Sequence, residues 1–259
     1  MSGLPAALVD ALDVCASAPR LLVTSDFDGT LAPIVDDPAA ARPLPEAAAA
    51  LIALADLPSV TVALISGRAL VTLRELSAMP PSVALVGSHG AEFDTGFAHD
   101  IDDALLQRIV DDLTEIAEGR PGVAVETKLA SVALHVRNAS AVDGEAALAA
   151  ARAAARSWGA EMTTGKMVLE FAVISTDKGE AIDILRDQAD ATAVVFFGDD
   201  VTDEKAFRRM RSGDVGVKVG PGDTLANCRV DAPEDVAAAL EYLLTTRRAQ
   251  TDQRAGNIE

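Results

Sequence analysis

Short apolar runs alternate with longer stretches of helical periodicity along the first hundred residues, and the same alternation returns from residue 178 onward. Leu4, Leu8, Leu12 and Cys15 share one side of a helix expected over residues 4–16, ahead of a strand Arg20–Ser25. A helix near residues 45–55 starts after Pro43 and Pro45. It is followed by a strand Val60–Ile65, a helix from Arg68 to Ser77 and a strand Val83–Val86. The later series reads helix Lys178–Gln188, strand Ala193–Phe197, helix Thr202–Arg211, strand Val215–Val219 and a last helix from Pro233 to about Thr246. Strand, helix, strand is the rhythm of an α/β fold with a doubly wound parallel sheet, to which both ends of the chain contribute. Residues Thr245 to Glu259 are polar and aperiodic and are expected to fray.

Residues 99–174 break the rhythm. Their order is helix (Asp102–Ala117), strand (Val123–Lys128), strand (Val132–Arg137), helix (Val142–Trp158), strand, strand (Met167–Ile174), which suits a small sheet with two helices on one face. This predicts a core in two parts, residues 1–98 and 175–259, interrupted by an inserted small α/β cap domain. In the cap, Val132, Leu134 and Val136 point one way, and Ser131, Ala133, His135 and Arg137 the other. Met167, Leu169 and Phe171 oppose Lys166, Val168 and Glu170, while Val123 and Val125 oppose Glu126 and Lys128. Three strands thus share a polar face with Glu126, Lys128, His135, Arg137, Lys166 and Glu170, read as a ligand platform. Trp158 is expected to anchor the cap's own core, and Asp111-Asp112 to be solvated.

Charge narrows the partners. With 22 basic and 40 acidic residues the formal charge is −18, and aromatics make up 3% of the chain, so neither the basic footprint nor the stacking surface of a nucleic-acid binder is present. No apolar stretch approaches the roughly eighteen residues of a membrane span. The first residues carry Asp10 and Asp13 rather than a basic leader, and Cys15 and Cys228 lack metal-ligand spacing. A cytoplasmic monomer is expected, and any anion site must be locally reversed by Arg, Lys or a metal ion.

Four segments carry the chemistry. Asp26-Phe27-Asp28-Gly29-Thr30-Leu31 sets two carboxylates two positions apart, where an apolar strand ends in a sharp turn and ligands of open α/β sheets collect. Ile65-Ser66-Gly67-Arg68, Asp177-Lys178-Gly179 and Phe197-Gly198-Asp199-Asp200-Val201-Thr202-Asp203-Glu204 follow in order. Two neighbouring acids in one pocket invite a split into a nucleophile, Asp26, and a proton carrier, Asp28. Ser66 and the Gly67 N–H are candidates for holding phosphate oxygens, and Lys178 for neutralising the charge that develops. Arg68 either joins them or braces the start of the helix. Hard oxygen ligands without a His/Cys cluster suit Mg²⁺, held by Asp26, Asp199 and the Asp28 carbonyl, with Asp200 and Asp203 acting through waters and backbone contacts.

The four segments together resemble the haloacid dehalogenase superfamily of phosphotransferases, which implies a Rossmann-like core. Over nearly its whole length the chain is similar to the trehalose-6-phosphate phosphatase family. The similar stretches are Asp26 to Ile34, Gly87-Ser88-His89-Gly90-Ala91-Glu92 and Gly165-Lys166-x-Val168-x-Glu170. That resemblance implies an Mg²⁺-dependent phosphatase acting on trehalose 6-phosphate through an aspartyl-phosphate. By motif match it places the sugar contacts on Glu126, Lys128, Arg137, Lys166 and Glu170. Where many family members have an Arg-Pro pair and a Trp after the cap glutamate, this chain has Phe171-Ala172-Val173 and then Ser175-Thr176. Sucrose 6-phosphate and mannosyl-3-phosphoglycerate remain alternative substrates; a silent sugar-phosphate sensor or a receiver-like signalling protein are alternatives of another class.

Overall fold

The computed structural model describes residues 3–256, with side chains to residue 251. Its elements are α1 (Ala6–Ala16), β1 (Leu21–Ser25), α2 (Pro45–Ala55), β2 (Val60–Ile65), α3 (Leu70–Ser77), β3 (Val83–Gly87), β4 (Glu92–Phe93), β5 (Gly96–Phe97), α4 (Asp103–Ala117) and β6 (Ala124–Thr127). They continue with β7 (Ser131–His135), α5 (Ala141–Ala155), β8 (Glu161–Gly165), β9 (Val168–Ala172), α6 (Lys178–Gln188), β10 (Ala193–Gly198), α7 (Asp203–Arg208), β11 (Val215–Val219), β12 (Cys228–Val230) and α8 (Pro233–Gly256). The chain divides into two compact units, one being His99–Ser175 and the other formed by the chain on either side of it.

The flanking unit is built on one sheet of order β12-β11-β10-β1-β2-β3-β4-β5. The strands from β12 to β3 run parallel, and the short β4–β5 hairpin adds an antiparallel edge. Adjacent residues of a strand serve opposite faces. Val23, Val195 and Val217 pack with Leu12 of α1, Leu51 of α2 and Leu240 of α8. Leu22, Val194 and Phe196 pack instead with Ile182 of α6 and Phe207 of α7. Both faces are therefore covered, which is why these strands read as continuous apolar runs rather than as alternations. The chain moves outward from β1 through β2 to β3, then returns to the other side of β1 as β10. The strand order thus reverses between β1 and β10, and their carboxyl ends open the crevice where such sheets bind ligands.

Three local expectations are corrected. Helix α3 begins at Leu70 rather than Arg68, leaving Ser66 and Gly67 in a loop ahead of it. The strand β12 and the β4–β5 hairpin are additional elements. Helix α8 runs on to Gly256, so the tail expected to fray from Thr245 is helical, while residues 257–259 lie outside the described residues. Its anchor is Arg247, 3% exposed, whose guanidinium donates to the carbonyls of Ala16, at 2.7 Å, and Ala18, just beyond α1. Charged donors on orphaned helix-end carbonyls hold the terminus where sequence periodicity gave no signal.

The His99–Ser175 unit is an antiparallel sheet of order β6-β7-β9-β8. Val132, Leu134, Leu169 and Phe171 are buried with Ile109 and Leu113 of α4 and Ala147 and Ala151 of α5. The side chains of Asp102 and Ser140 accept the backbone N–H groups of Leu105 and Asp143, capping α4 and α5. Trp158 sits in this core, edge-on to Phe171 at 4.9 Å between centroids. Its indole N–H donates to Asp112 Oδ2 at 2.7 Å, so Asp112 is a partner of the core rather than a solvated helix position.

Candidate active site

Asp26 follows the last residue of β1, and its N–H donates to the Phe197 carbonyl of β10 at 2.8 Å. That bond prolongs the β1–β10 pairing by one step and leaves the carboxylate at the switch point. Lys178, the first residue of α6, reaches the same place: its Nζ lies 2.8 Å from Asp26 Oδ1 and 2.7 Å from Asp203 Oδ1. Asp203 opens α7, and its other oxygen accepts the backbone N–H groups of Asp199 and Asp200 at 2.9 and 3.0 Å. Asp203 is fully buried, and Asp26 and Lys178 are nearly so. It is thus the pillar of the β10–α7 turn, fixing the lysine on one side and two backbone amides on the other.

Two glycines make room for this. A Cβ on Gly198 would lie 2.4 Å from Asp203 Cγ, so the pillar can stand only beside a residue without a side chain. Gly29 has a φ of +76°, and a Cβ there would lie 2.1 Å from Asp199 Oδ2. The turn after the first acid therefore needs glycine twice, for its left-handed backbone and for its contact with the second. Gly29→Ala is expected to displace the Asp199 carboxylate and to cost about tenfold to a hundredfold in kcat/KM. Steady-state kinetics at several divalent-cation concentrations checks this, and a wild-type kcat/KM throughout is the opposing result.

Asp28 and Arg68 form a bidentate pair, with Nε to Oδ2 and Nη2 to Oδ1 both at 2.6 Å. The guanidinium also lies over the Phe27 ring, 5.7 Å from its centroid. Arg68 N–H donates to Ser66 Oγ at 3.2 Å. Arg68 lies just ahead of α3, and its guanidinium braces Asp28. The Gly87-to-Glu92 segment supports this loop from behind: Ser88 N–H donates to the Arg68 carbonyl at 2.7 Å, and Glu92 Oε2 accepts the Leu70 N–H at 2.7 Å, at the start of α3.

A cleft of about 300 Å³ opens over this arrangement, lined by Asp26, Asp28, Ser66, Gly67, Arg68, Lys178, Asp199 and Asp200. Ile34, His89 and Thr202, which belong to the quoted stretches but had no site role assigned, also line it. His89 lies in a 3₁₀ turn with a φ of +57°, its ring against Gly67.

Carboxylate oxygens of Asp26, Asp199 and Asp203 lie within 4.8 Å of one another. Burial pushes the Asp26 carboxyl up to about 8; Lys178 pulls it back and the Asp203 charge pushes it up further. Burial and then the charges of Asp203 and Asp200 raise Asp199 as well. The Lys178 ammonium keeps its proton because Asp26 and Asp203 outweigh its burial. Three carboxylates crowd together beside Lys178, with Lys218 also acting on Asp199, and Asp199 Oδ1 is buried with no hydrogen-bond partner among the described residues. Hard oxygens, carboxylates grouped within 4.8 Å and an orphaned carboxylate oxygen fit a divalent cation. Asp203, expected to act through waters and backbone contacts, makes those backbone contacts and also belongs to this cluster, while the Asp28 carboxylate is engaged by Arg68.

On the separate His99–Ser175 unit, the register sets Glu126, Ala133, Glu170 and Thr163 in one row across the sheet. Lys128 Nζ and Ser131 Oγ donate to Glu170 Oε1 at 2.9 and 2.7 Å, and His135 Nε2 lies 2.7 Å from Glu126 Oε2. Burial works against the Glu170 charge, but the bonds from Lys128 and Ser131 hold its carboxyl below the usual range. Arg137 lies beyond the end of β7 and is exposed. Lys166 and Met167 form the β8–β9 turn, so Met167 does not point into the core as its spacing suggested; it has a φ of +66° and is exposed.

A family model described as trehalose-phosphatase matches residues 24–236, a span that takes in every segment lining the cleft and the whole of the second unit. The chain belongs to the trehalose-phosphatase family. It is 38% identical over 239 residues to the trehalose-phosphate phosphatase of Mycobacterium avium (strain 104), covering 84% of this chain and 60% of that one. It is 35% identical over 244 residues to the trehalose-6-phosphate phosphatase of Escherichia coli (strain K12), covering 90% and 91%. The chain thus spans about three-fifths of the length of the first mycobacterial relatives it matches. A solved Aspergillus fumigatus trehalose-6-phosphate phosphatase matches with a TM-score of 0.68 at 27% identity, over 94% of this chain and all of that one. The α/β architecture with a mostly parallel central sheet is therefore the trehalose-phosphatase fold. Among the described residues no helix is long and apolar enough to cross a membrane.

Proposed function

We propose that this protein hydrolyses trehalose 6-phosphate to trehalose and inorganic phosphate, as a phosphatase of the haloacid dehalogenase type with an aspartyl-phosphate intermediate. The observation that carries the reading is the Asp26 carboxylate, buried at the switch point, gripped by Lys178 and grouped with Asp199 and Asp203. One Asp26 oxygen attacks phosphorus, and the bond to the sugar oxygen breaks while Asp28 delivers a proton to that oxygen. Water, giving its proton back to Asp28, then attacks phosphorus; phosphate departs and the Asp26 carboxylate is restored. Ser66 and the Gly67 N–H hold the phosphoryl oxygens. Lys178 neutralises the charge gathered on them in the transition state. Arg68 keeps the proton carrier in place, and a phosphate dianion in the cleft competes with Asp28 for its guanidinium.

Asp26, Asp199 and the Asp28 carbonyl would hold Mg²⁺, with Asp203 at its edge and Asp200 bracing the turn. When bound, the ion offsets negative charge on the phosphoryl oxygens and on the carboxylate cluster. In this reading the His99–Ser175 unit is the inserted cap domain, and Glu126, Lys128, Arg137, Lys166 and Glu170 read the sugar hydroxyls. The paired carboxylates and cations on its sheet face support that role, since such groups recognise polyols by hydrogen bonds. A cytoplasmic monomer acting on a small sugar phosphate, without nucleic-acid or membrane partners, completes the proposal. It is supported by the formal charge of −18 and by two free cysteines.

The test is phosphate release from a panel of trehalose 6-phosphate, sucrose 6-phosphate, mannosyl-3-phosphoglycerate and glucose 6-phosphate. Trehalose 6-phosphate is expected to give the highest kcat/KM, activity to vanish with chelator, and Mg²⁺ to restore it. Faster turnover of another member of the panel overturns the substrate assignment, and tight binding without turnover makes the protein a sensor.

A further inference from the structure

Strand β11 reads Val-Gly-Val-Lys-Val, and all five residues are buried. Lys218 is 5% exposed, in a register that sets it beside Gly198 of β10 and Arg229 of β12. An ammonium inside a parallel sheet is costly to desolvate, so its position calls for a compensating partner. That partner is the backbone carbonyl of Asp199, to which Lys218 Nζ donates. The other end of the same residue is held too, since Asp199 N–H donates to Asp203 Oδ2 at 2.9 Å. Both backbone groups of Asp199 are thus fixed by charged side chains from different elements. Of its carboxylate, Oδ1 is buried with no hydrogen-bond partner among the described residues.

The geometry points to Lys218 as a positioning residue: by clamping the Asp199 carbonyl it aims the Asp199 carboxylate at a divalent cation shared with Asp26 and Asp203. This rests on the cation reading of that carboxylate cluster. Two effects of the lysine oppose each other. Its charge repels a cation at long range, whereas its hydrogen bond prepares the ligand. Buried geometry is the stronger of the two here, because the ammonium contacts a backbone oxygen of the ligand itself, and outer contacts of metal ligands typically change affinity by about 10- to 100-fold.

The experiment measures Mn²⁺ binding to the whole protein by electron paramagnetic resonance, with Mg²⁺ competition, in wild type, Lys218→Met, Lys218→Gln and Asp199→Asn. Lys218→Met is expected to weaken Mn²⁺ at least about tenfold. Lys218→Gln, which retains a donor without the charge, is expected to recover part of that loss. Equal or tighter binding in Lys218→Met, or a glutamine variant no better than methionine, overturns the clamp in favour of simple charge balance. Should Lys218→Met fail to fold, the glutamine variant against wild type decides, because loss of charge alone predicts tighter Mn²⁺ binding and a clamp does not. Wild-type protein without Mn²⁺ affinity, or Asp199→Asn that binds as wild type does, overturns the cation reading and the clamp with it.

Discussion

Asp26→Asn is expected to abolish phosphate release, lowering kcat by about four orders of magnitude or more, because a neutral amide cannot form the acyl phosphate. The fold is expected to survive. Asn occupies nearly the same volume, the backbone bond from residue 26 to Phe197 is untouched, and Lys178 retains Asp203 at 2.7 Å. Burial makes an ionised carboxyl unfavourable at this position, pushing it up to about 8, so its removal carries no large penalty. Phosphate release and thermal unfolding, measured on the same preparation, separate the two effects. Turnover within tenfold of wild type would mean that another group attacks phosphorus. A melting temperature many degrees lower would mean that the carboxylate is chiefly structural.

What was legible in the sequence is what depends on neighbours in sequence. Continuous apolar runs mark β1, β2 and β10 because both faces of the sheet are covered, and the residues that end those runs, Asp26, Ser66 and Asp199, all line one cleft. What was not legible joins distant positions. The Asp28–Arg68 pair spans forty residues and exists only once β1 and β2 lie side by side. Arg247 looked like part of a polar tail because its carbonyl partners, Ala16 and Ala18, lie at the other end of the chain. Lys218 was hidden inside an apolar pentapeptide, with a backbone carbonyl for a partner, which no side-chain pattern can announce. Strand β12 is three residues long, too short for any period to show. Asp203 was recognised by motif, but its place among the clustered carboxylates depends on Gly198 leaving it space.

Lys178→Met is expected to remove both activity and stability, and the two losses should respond differently to Mg²⁺. The lysine is 3% exposed between two buried carboxylates, so the variant keeps the aliphatic packing and leaves Asp26 and Asp203 facing each other uncompensated. Breaking a buried ion pair by removing one partner typically costs about 3–5 kcal/mol. At roughly 2–4 °C per kcal/mol for a chain of this size, the melting temperature should fall by about 10 °C without metal. A divalent cation at the carboxylate cluster replaces part of the missing charge, so Mg²⁺ should raise the variant's melting temperature by more than it raises that of wild type. Activity should stay low at saturating Mg²⁺, by about a hundredfold or more, because in the proposed mechanism the ammonium at the attacking oxygen supplies charge where the phosphoryl group develops it. Calorimetry and phosphate release over a Mg²⁺ titration read both quantities. Equal metal stabilisation of variant and wild type would show that Lys178 and the cation do not answer the same carboxylate charge, and recovery of wild-type turnover would take the lysine out of the chemical step.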